Sequence, residues 1–291
     1  MKDKLKATMI YDNKFDSPLI VSSPHSGNYY PNIYLDKIDV DFDICKSIED
    51  MYVDSLIQNL VKLNITTHIA TISRAVIDLN RESNELDPDK FNGEIIFDVN
   101  NSSYVKSGIG LMPINTPRGE IKFKEKFEVK ELTFLIDNFY KPWHQKMEEI
   151  INDKLKKFGR VFLLDCHSMP SRNFEDDKDL KLPDFILGDC FGKTCNIKYI
   201  DIIEQFLRDK NFSVARNVPY SGGYITKHYN NRSKGIQTLQ IEIRRDLYMN
   251  ELSYQKKDNF KLIRDVYTEL IGLVNENIIE ESDLTNKIAA Q

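Results

Sequence analysis

The sequence predicts an α/β fold, three-layer α/β/α, with a central mixed, mainly parallel sheet between helices. Three observations carry this. Short apolar runs that read as buried strands alternate with longer stretches of helical periodicity. Two of those runs, Pro18-Leu19-Ile20-Val21 and Arg160-Val161-Phe162-Leu163-Leu164, lead into histidines, His25 and His167, set among small and turn-forming residues. A third run, Ile236-Gln237-Thr238-Leu239-Gln240-Ile241-Glu242-Ile243-Arg244, carries a carboxylate inside an apolar strand pattern. Ligands of such sheets bind beyond the carboxyl ends of the strands, where both histidines are expected.

Each element follows from its own pattern. After the first strand, residues 41–64 place Ile44, Ile48, Met51, Leu56, Ile57, Leu60 and Val61 at helical spacing. Residues 66–72 and 75–79 read as strands. Residues 82–118 are rich in turn dipeptides such as Asn92-Gly93 and Ser107-Gly108, and long irregular segments of this kind tend to cover sites. A long helix is expected over 124–157, with a bend at Pro142. Strands at 184–188 and 213–216 flank a helix at 197–210, and a closing helix spans 254–277. No linker, repeat or low-complexity tract interrupts the chain, so residues 1–291 read as a single domain.

Composition narrows the function. The chain has 291 residues and a formal charge of −5, and its basic cluster Lys122, Lys124, Lys126 is interleaved with acids, which argues against a nucleic-acid binder. The charged start, Met1 to Ala7, precedes no hydrophobic segment of signal-peptide or membrane-span length, so no membrane partner and a cytoplasmic location are expected. Cys45, Cys166, Cys190 and Cys195 form no C-x-x-C pair and read as free thiols.

A catalytic zinc takes three protein ligands from His, Asp, Glu or Cys. With His25 and His167 available, a carboxylate is needed, and the region after the first strand offers Glu49, Asp50 and Asp54. On the helix read over residues 41–64, Asp50 and Asp54 are one turn apart and share a face. Cys166 beside His167 is a possible nucleophile, but alternation along a strand turns the two to opposite sides. The segment Ser73-Arg74-Ala75-Val76-Ile77-Asp78-Leu79-Asn80-Arg81 offers guanidinium groups for an acidic substrate, against the alternative of internal pairing with Asp78, Glu82 or Glu85. Glu242 in its strand is a candidate general base, against pairing with Arg244 or Arg245. Pro219 to Tyr229 is either a glycine-hinged lid offering Tyr220 and His228 to substrate or a hairpin turn. His68 and His144 are assigned to packing or supporting roles.

Seven segments, taken in order, resemble the N-formylglutamate amidohydrolase family. They are Ser22-Ser23-Pro24-His25-Ser26-Gly27, Glu49-Asp50-Met51-Tyr52-Val53-Asp54, Ser73 to Arg81, Asp165-Cys166-His167-Ser168-Met169-Pro170, Pro183 to Asp189, Pro219 to Tyr224, and Gln240 to Tyr248. The resemblance covers roughly residues 17 to 250. It implies a zinc-exopeptidase type of fold, one zinc ion, and hydrolysis of a small acidic N-acyl amino acid, N-formylglutamate, in histidine breakdown. By position it makes His25, Asp50 and His167 the metal ligands, Asn80-Arg81 a carboxylate-binding pair and Glu242 the base. Many relatives show Thr-Asp where this chain has Glu49-Asp50, so Glu49 competes with Asp50. Related carboxypeptidases carry the third ligand on a His-x-x-Glu motif, and Asn28 occupies that position here, so the carboxylate comes from elsewhere. Rival readings are a deacylase or peptidase for another N-acyl amino acid or small peptide, and a non-catalytic protein binding an acidic ligand.

Overall fold

The structure, a computed structural model, describes residues 8–11, 17–172 and 181–289, with side chains described over 17–172 and 181–281. The charged start of the chain, residues 1–7, lies outside the described residues. Seven strands form one sheet in the order Thr8–Tyr11, Thr66–Ala70, Leu19–Ser23, Val161–Met169, Ile236–Arg244, Phe185–Gly188, Val214–Arg216. Leu19–Ser23 runs parallel to Val161–Met169, which runs parallel to Ile236–Arg244; Phe185–Gly188 is antiparallel to Ile236–Arg244 and parallel to Val214–Arg216. The result is the expected mixed, mainly parallel sheet with flanking helices. Its central strands are buried along nearly their whole length, which is why they read as continuous apolar runs and not as alternating ones.

Contacts group the chain into two compact units. The first takes in Pro24–Met51 and Ile69–Glu148; the second takes in Leu19–Ser23, Tyr52–His68 and the chain from Glu149 onward. The chain passes from one to the other several times, so no linker composition marks a boundary. Within the first unit, Tyr30, Tyr34, Phe42, Phe123 and Phe127 pack ring against ring. In the second, Phe185 packs on Phe212 and Tyr267, and Phe162 on Tyr199.

Four local expectations are corrected. The region 41–64 is not one helix: Phe42–Lys46 stops, Tyr52 takes a left-handed conformation at φ 67°, and a new helix starts at Val53–Ile57, continuing as a tighter turn over Gln58–Leu63. Helical spacing of apolar residues was preserved across a break that only the backbone reveals. Residues 75–79 are not a strand. Ser73 folds the chain into turns, its carbonyl accepting from the Val76 and Ile77 amides and its hydroxyl from the Ala75 amide, while Ala75, Val76 and Ile77 are fully buried.

The long helix starts later than expected, at Val129–Leu135, where Glu128 and Glu131 form a reciprocal capping box. A π-helical turn at Ile136–Tyr140 then precedes Lys141–Phe158, so the irregularity falls just before Pro142. The closing helix starts at Phe260, after Tyr254 takes a left-handed conformation and Met249 bridges Lys256.

Candidate metal centre and active site

Strand register builds a polar row on one face of the sheet. Ser22 is in register with Asp165, Asp165 with Gln240, and His167 with Glu242. Residues paired in register point to the same face, and the period of two along each strand puts Asp165 with His167 and Gln240 with Glu242. Ser22 donates to Asp165 Oδ1 and Gln240 donates to Glu242 Oε1 at 2.8 Å. Arg244 takes Asp184 and Asp246 as partners, so the alternative that paired it with Glu242 gives way to these. Cys166 alternates to the other face; burial, with Asp165 and Glu242 adding, pushes its thiol well above its ordinary range and removes it as a nucleophile.

Each candidate histidine is backed by a buried carboxylate. His167 Nε2 lies 2.8 Å from Asp165 Oδ2, and His25 Nε2 lies 2.7 Å from Asp78 Oδ1. A carboxylate accepts the ring N–H, so in the neutral imidazole the lone pair resides on Nδ1 in both cases. His25 Nδ1 in turn lies 3.4 Å from Asp50 Oδ2, which places two acceptors face to face, an arrangement that a cation reconciles. His25, Asp50 and His167 are all buried, and one donor atom from each lies within 4.8 Å of the others. Two imidazoles and a carboxylate form the donor set of a catalytic zinc, so the residues fit a metal ion.

Backbone geometry separates Asp50 from its neighbours. The Asp50 amide donates to the His25 carbonyl at 2.9 Å, fixing the acid beside the imidazole. Glu49 turns elsewhere and accepts from the Tyr30 and Ser73 hydroxyls. Asp54 lies beyond the left-handed residue Tyr52 in the next helix, where burial raises its carboxyl. The shared helical face anticipated for Asp50 and Asp54 is therefore absent.

Arg74 shows the internal pairing. Its guanidinium reaches Asp78 at 2.8 Å and Asp50 at 3.9 Å. Burial works to raise the Asp78 carboxyl, but His25, Arg74 and Arg81 outweigh it and hold it well below its ordinary range. Arg81 is placed differently: Nε donates to the Ile109 carbonyl at 2.8 Å, Nη1 to the Asn80 carbonyl, and the guanidinium lies over the Tyr104 ring at 4.1 Å. The Asn80 amide donates to Asp78 Oδ1, tying the Asn80-Arg81 pair to the carboxylate that backs His25. Tyr220 is half-buried on a loop that leads into a short helix, Tyr224–His228, so the segment is not a hairpin. His228 is exposed and stacks on Tyr224. His144 contacts the Leu79 carbonyl, a packing role.

The sequence matches the N-formylglutamate amidohydrolase family over residues 17–249. This chain belongs to that family. It is 28% identical over 239 residues to an N-formylglutamate deformylase of Pseudomonas putida, covering 80% of this chain and 82% of that one. A second deformylase of that name, from Pseudomonas aeruginosa, is 26% identical over 80% of this chain and 83% of its own length. The crystal structure of an N-formylglutamate amidohydrolase from Ralstonia eutropha superposes with a TM-score of 0.88 at 30% identity, covering 95% of this chain and all of the other.

In this N-formylglutamate amidohydrolase family member, sequence reasoning missed the two carboxylates behind the histidines. Asp165 had a readable signal, since Asp-x-His in a strand puts both side chains on one face. Asp78 had none, because its link to His25 crosses 53 residues. Arg245 was read only as a partner for Glu242; it is buried and donates to the Ser168 hydroxyl at 3.1 Å.

Proposed function

We propose that the chain hydrolyses N-formyl-L-glutamate to formate and L-glutamate, with one divalent metal, zinc by its donor set, held by His25, Asp50 and His167. The convergence of two carboxylate-backed imidazoles with Asp50 carries this reading. The names of the family and its relatives supply the substrate. When bound, the ion supplies Lewis acidity for polarising the formyl carbonyl and acidifying water.

The chain's own residues do the rest. Glu242, buried and in register with His167, accepts a proton from the attacking water and returns it to the departing amine. Gln240, donating to Glu242 Oε1, orients that carboxylate. Arg81 and Asn80 hold a carboxylate of the substrate, so binding energy goes into orientation. Arg74, engaged with Asp78 and Asp50, balances their charge and positions His25 through Asp78, and so contributes to substrate binding indirectly. Tyr220 and His228 contact the substrate from the glycine-rich loop and the helix after it. We read residues 1–291 as one catalytic chain acting on a small acidic substrate, without nucleic-acid or membrane partners; among the described residues no helix is long and apolar enough to cross a membrane.

Formate release from N-formylglutamate tests the reading. Metal-loaded protein is expected to release formate, with at least a ~100-fold loss on chelation or in His167→Ala. Glu242→Gln should lower kcat by about 100- to 10,000-fold with a much smaller change in KM. Activity indifferent to both chelation and His167→Ala overturns the metal site, and preference for another N-acyl amino acid in a substrate panel overturns the assigned substrate.

A further inference from the structure

The first unit holds a cavity of about 560 Å³, within the range of small-molecule sites, and none of His25, Asp50, His167 or Glu242 lines it. Its floor is apolar, with Leu86, Phe91, Ile121 and Phe127 all buried. Six acidic and three basic residues line it, and of the acids only Glu125 has an ion-pair partner among the described residues, Lys37. Glu85 is the buried one, 6% exposed, and its Oε2 accepts the Glu82 amide. No other hydrogen bond or ion pair reaches that carboxylate among the described residues. A carboxylate with acceptor capacity to spare beside an apolar floor suits a cationic donor.

One wall of the cavity is also the support of Arg81. Gly108, Gly110 and Met112 line the cavity. The residues between them face the other way in function: the Ile109 carbonyl accepts Arg81 Nε at 2.8 Å, and the Leu111 carbonyl accepts the Asp78 amide at 2.7 Å. The wall is packed without slack, since a Cβ on Gly110 would meet the Glu85 carbonyl at 2.7 Å and Val105 at 2.9 Å. Val105 belongs to the short helix Ser103–Lys106, whose Tyr104 lies under the Arg81 guanidinium. A molecule in the cavity therefore touches the segment that sets where Arg81 and Asp78 sit.

We propose that this cavity is a regulatory site for a small amphipathic amine, its ammonium on Glu85 and its apolar body on the Leu86, Phe91 and Phe127 floor, and that its occupancy repositions Arg81. Binding stands apart from the proposed reaction; only the effect on catalysis rests on it.

Phenethylamine serves as probe, with 2-phenylethanol and 3-phenylpropionate as neutral and anionic matches, each titrated calorimetrically into the full chain. The amine should bind at least about tenfold more tightly than the alcohol, and the acid should bind most weakly. Filling the cavity by Ile114→Trp, or by Met112→Phe as an independent variant, should abolish binding with far-ultraviolet circular dichroism unchanged, and Glu85→Gln should weaken it about tenfold. The Arg81 Nε–H resonance should shift on adding amine to the wild type and stay fixed in Ile114→Trp. If N-formylglutamate is the substrate, its KM should change at least threefold with saturating amine. Equal binding of the three probes, or binding that survives both filling variants, overturns the site. An Arg81 resonance indifferent to bound amine overturns the coupling, whatever the substrate.

Discussion

At His167 one proton decides which nitrogen can ligate. Asp165 lies where it would accept an Nε2 hydrogen and leave the Nδ1 lone pair for the proposed metal, as Asp78 does beside His25. An amide in place of Asp165 can donate to Nε2 and favour the wrong tautomer. Asp165→Asn is therefore expected to lower zinc affinity by about 10- to 100-fold, read by competition with a chromophoric chelator, and to regain activity as zinc is raised. An unchanged affinity would show that the backing carboxylate does no orienting.

Element by element, close approach and charge set the predictions. Gly27 lies two residues after His25, and a Cβ there would meet the Ile72 carbonyl at 2.3 Å and the Thr71 backbone at 2.6 Å. Backbone atoms cannot swing aside as a flexible side chain can, so Gly27→Ala should destabilise by about 1–3 kcal/mol in denaturant unfolding. It should also weaken metal binding, because Tyr29 and Ile72 pair beside it and the same backbone carries His25. After the Glu242 strand, burial works to raise the Asp246 carboxyl, but Lys181 and Arg244 outweigh it and hold it below its ordinary range. A depressed carboxyl stabilises the folded state above its unfolded pKa, and that contribution fades as pH falls through the folded value. Asp246→Asn should cost no more than about 1 kcal/mol at pH 7, since the pair is partly solvent-screened, and the difference should shrink progressively below about pH 4.

For the molecule as a whole, the proposed metal site would link ion binding to folding. Zinc at 100 times its Kd should add about 2.7 kcal/mol of stability and raise Tm by roughly 5 °C, a gain absent in His167→Ala. Scanning calorimetry with and without chelator reads this directly. All four cysteines are free and buried, and burial is the leading cause that raises each thiol. A chromogenic disulfide reagent at pH 8 should react slowly with the native protein and with all four thiols after denaturation.

The sheet was legible because its central strands are buried on both faces, and continuous apolar runs such as Val161 to Leu164 carry that signal without tertiary help. His25 and His167 were legible for the same reason, standing where such runs end. Alternation within one strand turned Cys166 away from His167, whereas the register that sets Glu242 on the same side as His167 joins two strands distant in sequence and came only with the fold. The choice among Glu49, Asp50 and Asp54 was not legible, because a left-handed Tyr52 leaves no mark in a helical apolar pattern. Asp78 became the partner of His25, and Ile109 the support of Arg81, only through turns that a strand-like run of Ala, Val and Ile conceals. Local pattern alone determined which side chains stand at the sheet's carboxyl edge; long-range hydrogen bonds, whose partners are distant in sequence, decided which acids orient them.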